Sequence, residues 1–227
     1  WLDVKGKIVA DSWVWCEGPE TFRVFSEHCA SATIAEKLER HIIADDVEIE
    51  VVGSTPALAL LGADGAQVAA GFSGLALLPG RRSHTPSLEC LFRSVGERDE
   101  MVSSLEAEPV PEWELHRLRF EAGIPLVPQE AGPGELPGEV GLDGDALDFD
   151  KGCFLGQEVV ARMHNLGKST RALYRVEGDG APPFVPRPVE NTTGKQIGEL
   201  RTAIPWEKER WQGVALLKIR YADAALS

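Results

Sequence analysis

A stretch rich in proline and glycine, residues 123–144, sets the main constraint on how this chain of 227 residues folds. Proline lacks a backbone N–H and glycine has little conformational preference, so this composition excludes one regular helix or strand there. A loop of this length inside a compact protein is usually functional or disordered. It leads directly into the motif D-K-G-C-F-L-G-Q-E at residues 150–158, which favours a functional loop.

The rest of the chain shows both helical and strand patterns, which predicts an α+β fold. Before the loop, the predicted elements are a turn at 5–7, a helix over 19–42, strands at 45–52 and 57–62, a short helix capped by Asp64, and helices over 97–105 and 111–122. After the motif, residues 159–165 predict a helix that ends in a left-handed cap at Gly167. From residue 171 onward, short strands separated by proline, glycine and asparagine predict a small β-domain or barrel.

Charge and hydropathy argue against two classes of partner. The formal net charge of −13 repels nucleic acid unless a local basic patch overcomes it. No run reaches 18 apolar residues and no signal peptide is recognised, which predicts a cytoplasmic protein without a membrane partner. The opening W-L-D-V-K-G-K-I-V-A-D has the pattern of the middle of a hairpin, so we expect the natural N-terminus to lie upstream.

The four cysteines, Cys16, Cys29, Cys90 and Cys153, show none of the short spacings that hold a metal ion. We therefore predict no self-contained metal or cluster site. Without a secretory signal, disulfide bonds are not expected, and most of these thiols are expected to be buried packing residues.

Cys153 stands out because of its position in the motif. It precedes the start of the predicted helix and lies two residues from Lys151. Both the positive end of a helix and a nearby ammonium group favour the thiolate form of a cysteine. From the residues alone, two interpretations stay open: a reactive or metal-ligating thiol, or a small buried cysteine at a helix N-terminus.

The remaining motif residues have clear local roles. Gly152 and Gly156 allow backbone angles that other residues avoid. Gln157 and Glu158 then fall in the first turn of the following helix, where a carboxylate is favoured by the helix dipole. Glu158 also stands four residues before Arg162, so the two can form an ion pair along one helix face.

The motif K-G-C-F-L-G-Q-E, followed by V-V-A-R, resembles the signature of the YgfZ/Iba57 proteins, which are folate-binding relatives of the glycine cleavage T-protein (GcvT, an aminomethyltransferase). The order of elements is also similar: L-R-F-E-A-G-I-P at 118–125, the Pro/Gly loop, the signature, and L-G-K-S-T-R-A-L at 166–173. The resemblance covers nearly the whole chain, although family members carry a further hairpin-and-helix segment before the point where this chain begins.

This resemblance implies a GcvT-like cloverleaf of antiparallel sheet-and-helix domains around a hole that holds tetrahydrofolate. It implies a folate-binding domain at 1–168, incomplete at its N-terminal end, and a C-terminal β-barrel at 169–227. The implied role is assembly or repair of iron–sulfur proteins, including tRNA-modifying enzymes, in the cytoplasm or, in a eukaryote, in the mitochondrial matrix. The implied partners are folate and the iron–sulfur proteins or their assembly machinery.

The resemblance also assigns roles to single residues. The signature cysteine, Cys153, is the residue that matters for activity, with Lys151 beside it. Glu121 matches the glutamate that binds the pterin ring in the T-protein, where a carboxylate can accept two N–H bonds from the aminopyrimidine edge. Arg119 is expected to hold a carboxylate or a neighbouring loop. From the residues alone, Glu121 can equally be a solvated glutamate at the helix end, and a surface position is the favoured alternative for Arg119.

Arg171 matches a basic position near the folate in T-proteins. With Lys168 and Arg175 it forms a small cationic patch that suits the glutamyl tail of folate, although a solvated strand edge is the alternative. We include three more residues of the signature helix among the predicted folate contacts: Gln157, Glu158 and Arg162. His164, near the end of that helix, is a second candidate as thiol partner or cluster ligand, with a plain helix-end histidine as the alternative.

Three hypotheses follow. The first is a folate-binding factor for iron–sulfur proteins that uses Cys153. The second is a folate-dependent aminomethyltransferase of the glycine cleavage type, which needs an aspartate near the one-carbon unit that we do not identify in residues 1–60. The third is an interaction scaffold in which the motif is only structural. The sequence leaves open whether the protein is an enzyme with turnover.

Overall fold

The computed structural model describes residues 1–62, 65–144, 146–167, 169–207 and 209–222, without the side chains of residues 65, 66 and 166. The chain divides into two compact units, one formed by Trp1–His41 with Pro125–Ser227 and the other by Ile42–Ile124. The Pro/Gly loop and the sheet that follows it therefore belong to the same unit. The predicted domain boundary near residue 168 stays a prediction.

The first unit begins with two hairpins. Leu2 pairs with Ile8 across a turn at Gly6, whose φ is +72°, as the predicted turn at 5–7 requires. Strands β1 (Trp13–Gly18) and β2 (Thr21–Phe25) then pair antiparallel, and helix α1 follows at Ser31–Glu39. The predicted helix over 19–42 is therefore right only in its second half. The aromatic and β-branched residues of T-F-R-V-F favour a strand once W-V-W-C is available as its partner.

The second unit holds a three-stranded antiparallel sheet in the order β3-β5-β4. Its elements are β3 (Ala57–Leu61), α2 (Gly65–Gly71), β4 (Ala76–Pro79), β5 (Ser87–Leu91), α3 (Val95–Ser104) and α4 (Glu112–Glu121). The predicted strand at 57–62, the short helix after it and the predicted helices over 97–105 and 111–122 are confirmed. Ser94 caps α3 by accepting the Glu97 N–H at 3.2 Å. The predicted helix cap Asp64 lies outside the described residues.

One strand prediction in this unit is wrong, and strands β4 and β5 were not predicted. Residues 45–52 form no strand although their pattern alternates, and Val47, Val51 and Val52 are exposed. The central strand β5 was missed because it carries a glutamate, Glu89, in a buried position. Arg82 makes that burial tolerable, since its Nε and Nη2 donate to the Glu89 carboxylate at 2.7 and 3.0 Å.

The first unit resumes with the Pro/Gly loop, which contains one 3-10 turn at Pro137–Glu139, and with helix α5 at Gln157–Leu166. Four antiparallel strands follow in the order β6-β9-β8-β7: β6 (Arg171–Asp179), β7 (Arg187–Glu190), β8 (Gln196–Pro205) and β9 (Arg210–Lys218), with a final turn of helix, α6, at Ile219–Ala222. The predicted helix and strands are confirmed. The left-handed cap is wrong, because Gly167 is extended with φ −94°.

The C-terminal strands form an open sheet in the part of the chain that the structure describes. Strands β6 and β7 lie at its two edges, and no ladder joins them. An antiparallel sheet-and-helix fold is therefore confirmed, whereas closure into a barrel stays a prediction.

The core of this unit includes the Pro/Gly loop. Val127, Ala131, Val140 and Leu142 of the loop pack with Ile8 from the first hairpin and with Leu216 from β9. The loop is thus an ordered part of the core, because it buries apolar side chains against two other segments. Within the described residues, no helix combines the length and the apolar character needed to cross a membrane.

Candidate functional site

Three buried glutamates organise the Pro/Gly loop. Each carboxylate accepts a hydrogen bond from a backbone N–H a few residues earlier: Glu130 from Leu126 at 3.0 Å, Glu135 from Gly132 at 3.0 Å, and Glu139 from Leu136 at 2.9 Å. These contacts satisfy backbone donors that have no partner in a regular helix or sheet. They explain how a segment rich in proline and glycine adopts one conformation.

Two arginines of the C-terminal sheet bind these glutamates. Arg171, the first residue of β6, donates from Nε and Nη2 to the two oxygens of Glu139 at 3.0 and 2.9 Å. Its Nη1 lies 3.8 Å from Oε1 of Glu135. Arg201 on β8 donates from Nη2 to the same Glu135 oxygen at 3.0 Å and from Nη1 to the Glu130 carbonyl at 2.9 Å. The loop is therefore fixed to the sheet by charge-assisted bonds.

These bonds bear on the predicted role of Arg171 towards folate. The Arg171 side chain is 33% exposed, but its Nε and Nη2 groups are already directed at Glu139. A contact between Arg171 and the glutamyl tail of folate stays a prediction. Lys168, the second member of the predicted cationic patch, lies outside the described residues.

Glu139 is ionised more readily than an ordinary glutamate. Burial alone raises the pKa of this carboxyl, but the hydrogen bonds from Arg171 and from the Leu136 N–H, with the charges of Arg171 and Lys7, outweigh burial. The net result is a pKa below the usual value. The loop is held by a carboxylate that stays charged in moderately acidic solution.

The signature loop packs closely on the first hairpin. Gly156, immediately before α5, has φ +79°, and a Cβ at this position would lie 2.4 Å from the Cα and N atoms of Gly6 and 2.7 Å from the Asp3 carbonyl oxygen. Only glycine fits this approach and this backbone angle. Gly152 differs, since it has no positive φ and no atom stands within 4 Å of a Cβ built there. The predicted need for glycine is confirmed at Gly156 but not at Gly152.

Cys153 is exposed to solvent. This exposure excludes the alternative that Cys153 is a buried packing residue. After it, the Phe154 N–H donates to Oε1 of Gln157 at 3.4 Å, which closes the loop onto the first residue of α5. The Lys151 ammonium lies 5.3 Å from the centre of the Phe154 ring, in cation–π range. The thiol thus lies in a short loop, with the Lys151–Phe154 contact and the Gln157 hydrogen bond on its two sides.

The other cysteines show that the expectation of mostly buried thiols is wrong. Cys90 is fully buried, and burial raises the pKa of its thiol to about 11. Cys29 is half-buried, its pKa is raised by burial, and its Sγ lies 3.5 Å from Oδ1 of Asp11 and from the Val127 carbonyl. Cys16 is exposed on β1. Two of the four thiols, Cys16 and Cys153, are therefore open to solvent.

The predicted pair on α5 is confirmed. Arg162 Nη2 donates to Oε1 of Glu158 at 2.8 Å, and both side chains are exposed. A pair of this kind adds little to stability because water screens it. Both charged groups face solvent on the helix that follows Cys153, and their contact with a ligand stays a prediction.

Glu121 and Arg119 lie in the other compact unit, on α4. The Glu121 carboxylate accepts a hydrogen bond from Arg117 Nη1 at 2.6 Å and is 41% exposed, so it remains accessible as an acceptor. Arg119 is only 6% exposed, and its Nη1 donates to the Ile124 carbonyl at 2.7 Å. This excludes the surface-arginine alternative, and the bond holds the loop that follows α4, which is one of the two predicted roles.

A cavity of about 140 Å³ lies behind the signature helix in the first unit. Its lining includes Val160, Met163 and His164 of α5 together with Phe149 of the preceding loop. The His164 and Phe149 rings are stacked with centroids 4.3 Å apart. His164 is thus engaged with an aromatic ring that the sequence analysis did not single out, and its role as cluster ligand stays a prediction. Among the described residues, no three His, Cys, Asp or Glu side chains are placed to bind a metal ion together.

Comparison with known proteins identifies the relatives of this chain. The tRNA-modifying protein YgfZ of Vibrio vulnificus is 30% identical over 142 residues, which is 59% of this chain and 43% of that protein. A mitochondrial iron–sulfur cluster assembly factor IBA57 homolog of Cryptococcus neoformans is 31% identical over 112 residues, 48% of this chain and 27% of that protein. Human IBA57 is 33% identical over 95 residues, which is 39% of this chain and 27% of that protein. This chain is therefore similar to the YgfZ and IBA57 proteins over part of their length, as the signature suggested.

The matched segments span less than half the length of these YgfZ and IBA57 proteins. No protein-family model matches the chain. Among solved structures, the glycine cleavage system aminomethyltransferase T of Bartonella henselae superimposes with a TM-score of 0.74 over 97% of this chain and 67% of its own. At 16% identity this likeness shows the fold alone, and it confirms the predicted GcvT-like fold.

We predict that acid removes part of the stability contributed by Glu139. Because its folded-state pKa lies below the ordinary value of 4.5, the unfolded chain takes up this proton at higher pH than the folded chain. The contribution is complete above that ordinary value and is lost as the pH falls through the folded one. Denaturant titrations between about pH 7 and about pH 3 give the free energy of unfolding at each pH, and the slope of this free energy against pH measures the effect. The slope becomes shallower in Glu139→Gln, and an unchanged slope would contradict this assignment.

Proposed function

We propose that this chain is part of a tetrahydrofolate-binding protein that assists the assembly or repair of iron–sulfur proteins, tRNA-modifying enzymes among them. The observation that carries the proposal is the solvent exposure of Cys153 within the signature, three residues before a glycine that packs against the backbone of another segment. The names of the relatives support it, since they describe tRNA-modifying proteins and iron–sulfur cluster assembly factors.

Glu121 is the proposed anchor for the pterin ring. Its carboxylate is partly exposed, and Arg117 orients it from the preceding turn of α4. A carboxylate in this state can accept two parallel N–H bonds from an aminopyrimidine edge, so the residue fits the ligand. Bound tetrahydrofolate would supply a reduced pterin that carries one-carbon units. The further proposed contacts are Arg119, Gln157, Glu158, Arg162 and Arg171.

Cys153 is the proposed reactive group, with Lys151 beside it. Cys153 is open to solvent at the loop before α5. As a thiolate it can bind iron, or it can attack a disulfide of a partner and release one of its two sulfurs as a thiolate. One thiol does not hold an iron–sulfur cluster alone, so a client protein, a second subunit or a small thiol supplies the other ligands. The cluster is cargo in this scheme, whereas the folate is the resident ligand.

The partners are iron–sulfur proteins or their assembly machinery, without direct contact to nucleic acid or membrane. The place of action is the cytoplasm or, in a eukaryote, the mitochondrial matrix. The open sheet of β6 to β9 is proposed to be part of the C-terminal β-barrel of a GcvT-like protein.

A second candidate is a folate-dependent aminomethyltransferase, which the fold likeness to the aminomethyltransferase of Bartonella henselae favours. The two candidates differ in turnover. Release of formaldehyde from glycine-derived aminomethyl groups by the purified protein would support the transferase. Folate binding without such release would support the assembly factor.

We predict that the intact protein binds tetrahydrofolate and that Glu121→Gln weakens this binding about tenfold or more. The substitution removes a charged acceptor, and a hydrogen bond to a charged group contributes about 1.5–3 kcal/mol. Calorimetric titration measures the effect. Glu112→Gln is the matched control, because Glu112 is an exposed carboxylate at the other end of the same helix. No measurable binding by the wild-type protein would remove both folate-based functions and leave a scaffold.

We predict that Cys153→Ser fails to restore iron–sulfur enzyme activity in cells that lack the native protein. Serine has similar size but is neither a thiolate nor a soft metal ligand at neutral pH. The control is Cys16→Ser, which removes the other solvent-exposed thiol and should restore activity fully. Full restoration by Cys153→Ser would show that the sulfur has no role, while folate binding would stand.

A further inference from the structure

We propose that Arg171 is a positioning residue for the Cys153 loop and acts through its ion pair with the buried carboxylate of Glu139. This inference rests on the proposed function, because it concerns the same thiol. This role is separate from the folate contact proposed for Arg171, and the test for it contains no folate. A continuous series of contacts joins the C-terminal sheet to the signature.

The series begins with a two-point contact. Both oxygens of Glu139 accept from Arg171, at 3.0 and 2.9 Å, and one of them also accepts the Leu136 N–H at 2.9 Å. The carboxylate thus links the first residue of β6 to both ends of the 3-10 turn at Pro137–Glu139. A guanidinium forms such paired bonds in one plane, whereas the ammonium of lysine is a point charge without that geometry.

The turn then packs against the signature helix and the first hairpin. A Cβ on Gly6 would lie 2.8 Å from Cγ2 of Val160 and 3.5 Å from Cδ2 of Leu136, so the side chains of the helix and of the turn meet at this glycine. A Cβ on Gly138 would lie 3.5 Å from Sδ of Met163 on the same helix. A shift of the turn therefore moves its contacts with α5 and with Gly6 together.

The last contacts reach the thiol. Gly156 lies on the backbone of Gly6, and Gln157 closes the segment by accepting the Phe154 N–H at 3.4 Å. Cys153 immediately precedes Phe154. The sulfur itself makes no part of the core, so the conformation of its loop depends on these neighbours. Loss of the Arg171–Glu139 pair is expected to loosen the start of α5 before it affects the centre of the sheet.

The test compares Arg171→Ala and Arg171→Lys with wild type in the absence of folate and of any client. Amide hydrogen exchange is followed in peptides that cover residues 150–160, together with alkylation by iodoacetamide of Cys153 relative to Cys16 in the same molecule. Arg171→Ala should speed exchange at 153–160 about tenfold and change the alkylation ratio about threefold, with β8 and β9 unaffected. Arg171→Lys should restore part of the protection, since it keeps the charge but not the fork.

Arg210→Ala is the matched control, because Arg210 pairs with Glu177 at the surface of the same sheet, and it should leave residues 153–160 unchanged. If Arg171→Ala does not fold, Glu139→Gln replaces it, since the amide keeps the shape and an acceptor. Unchanged exchange at 153–160, or a rise spread evenly over β6 to β9, would overturn the proposal. If the protein did not bind folate, the role of Arg171 in positioning the Cys153 loop would still stand. If hydrogen exchange contradicted that role, the proposed folate binding would still stand.

Discussion

The close approach of two glycines, Gly6 and Gly156, is the contact on which the arrangement of the signature depends. Gly156 turns the chain into α5 with a positive φ, and its Cα faces the backbone of Gly6 without room for a side chain. The second glycine of the signature is thus required for packing between segments distant in sequence. The cysteine lies three residues earlier, in the part of the loop that remains open to water. The same backbone geometry therefore brings α5 onto the hairpin and leaves the sulfur outside.

Buried ion pairs hold the surroundings of that contact. Arg171 and Arg201 come from the C-terminal sheet, and their partners Glu139 and Glu135 come from the Pro/Gly loop. Removing one partner of a fully buried pair typically costs about 3–5 kcal/mol, because the remaining charge is left without compensation. The cost is smaller for the Arg171 pair, since Arg171 is 33% exposed and water screens its charge. The pairs therefore specify one conformation for a segment whose composition by itself favours many. Arg82 and Glu89 provide the same kind of support inside the sheet of the other unit.

Local patterns predicted the elements that depend on local interactions. Helices α3, α4 and α5 and the strands after residue 171 follow from apolar spacing, caps and turn residues. Pattern alone failed where a distant partner decides. Residues 21–25 form a strand because β1 pairs with them, and residues 45–52 alternate but have no ladder to join. Strand β5 was hidden by Glu89, whose burial depends on an arginine seven residues away.

In the candidate site, too, the sequence predicted some features and missed others. The motif singled out Cys153, Gly156 and the Glu158–Arg162 pair, since these follow from spacing and from a resemblance in the sequence. It did not reveal that Arg171 binds Glu139 inside the protein or that Phe149 stacks on His164. Arginines that bind ligands and arginines that bind buried carboxylates have the same sequence appearance. They differ in where their donor groups are directed, and those of Arg171 are directed at Glu139.

The most direct measurement of the central claim compares Gly156→Ala with Gly152→Ala by denaturant unfolding at neutral pH. The account predicts that Gly156→Ala lowers the free energy of unfolding by about 2–4 kcal/mol, since the methyl group meets the Gly6 backbone and strains a left-handed residue. Gly152→Ala should stay within about 1 kcal/mol of wild type, since the space around it is open. Equal, small effects of the two substitutions would contradict the claim that the signature glycine packs against the first hairpin.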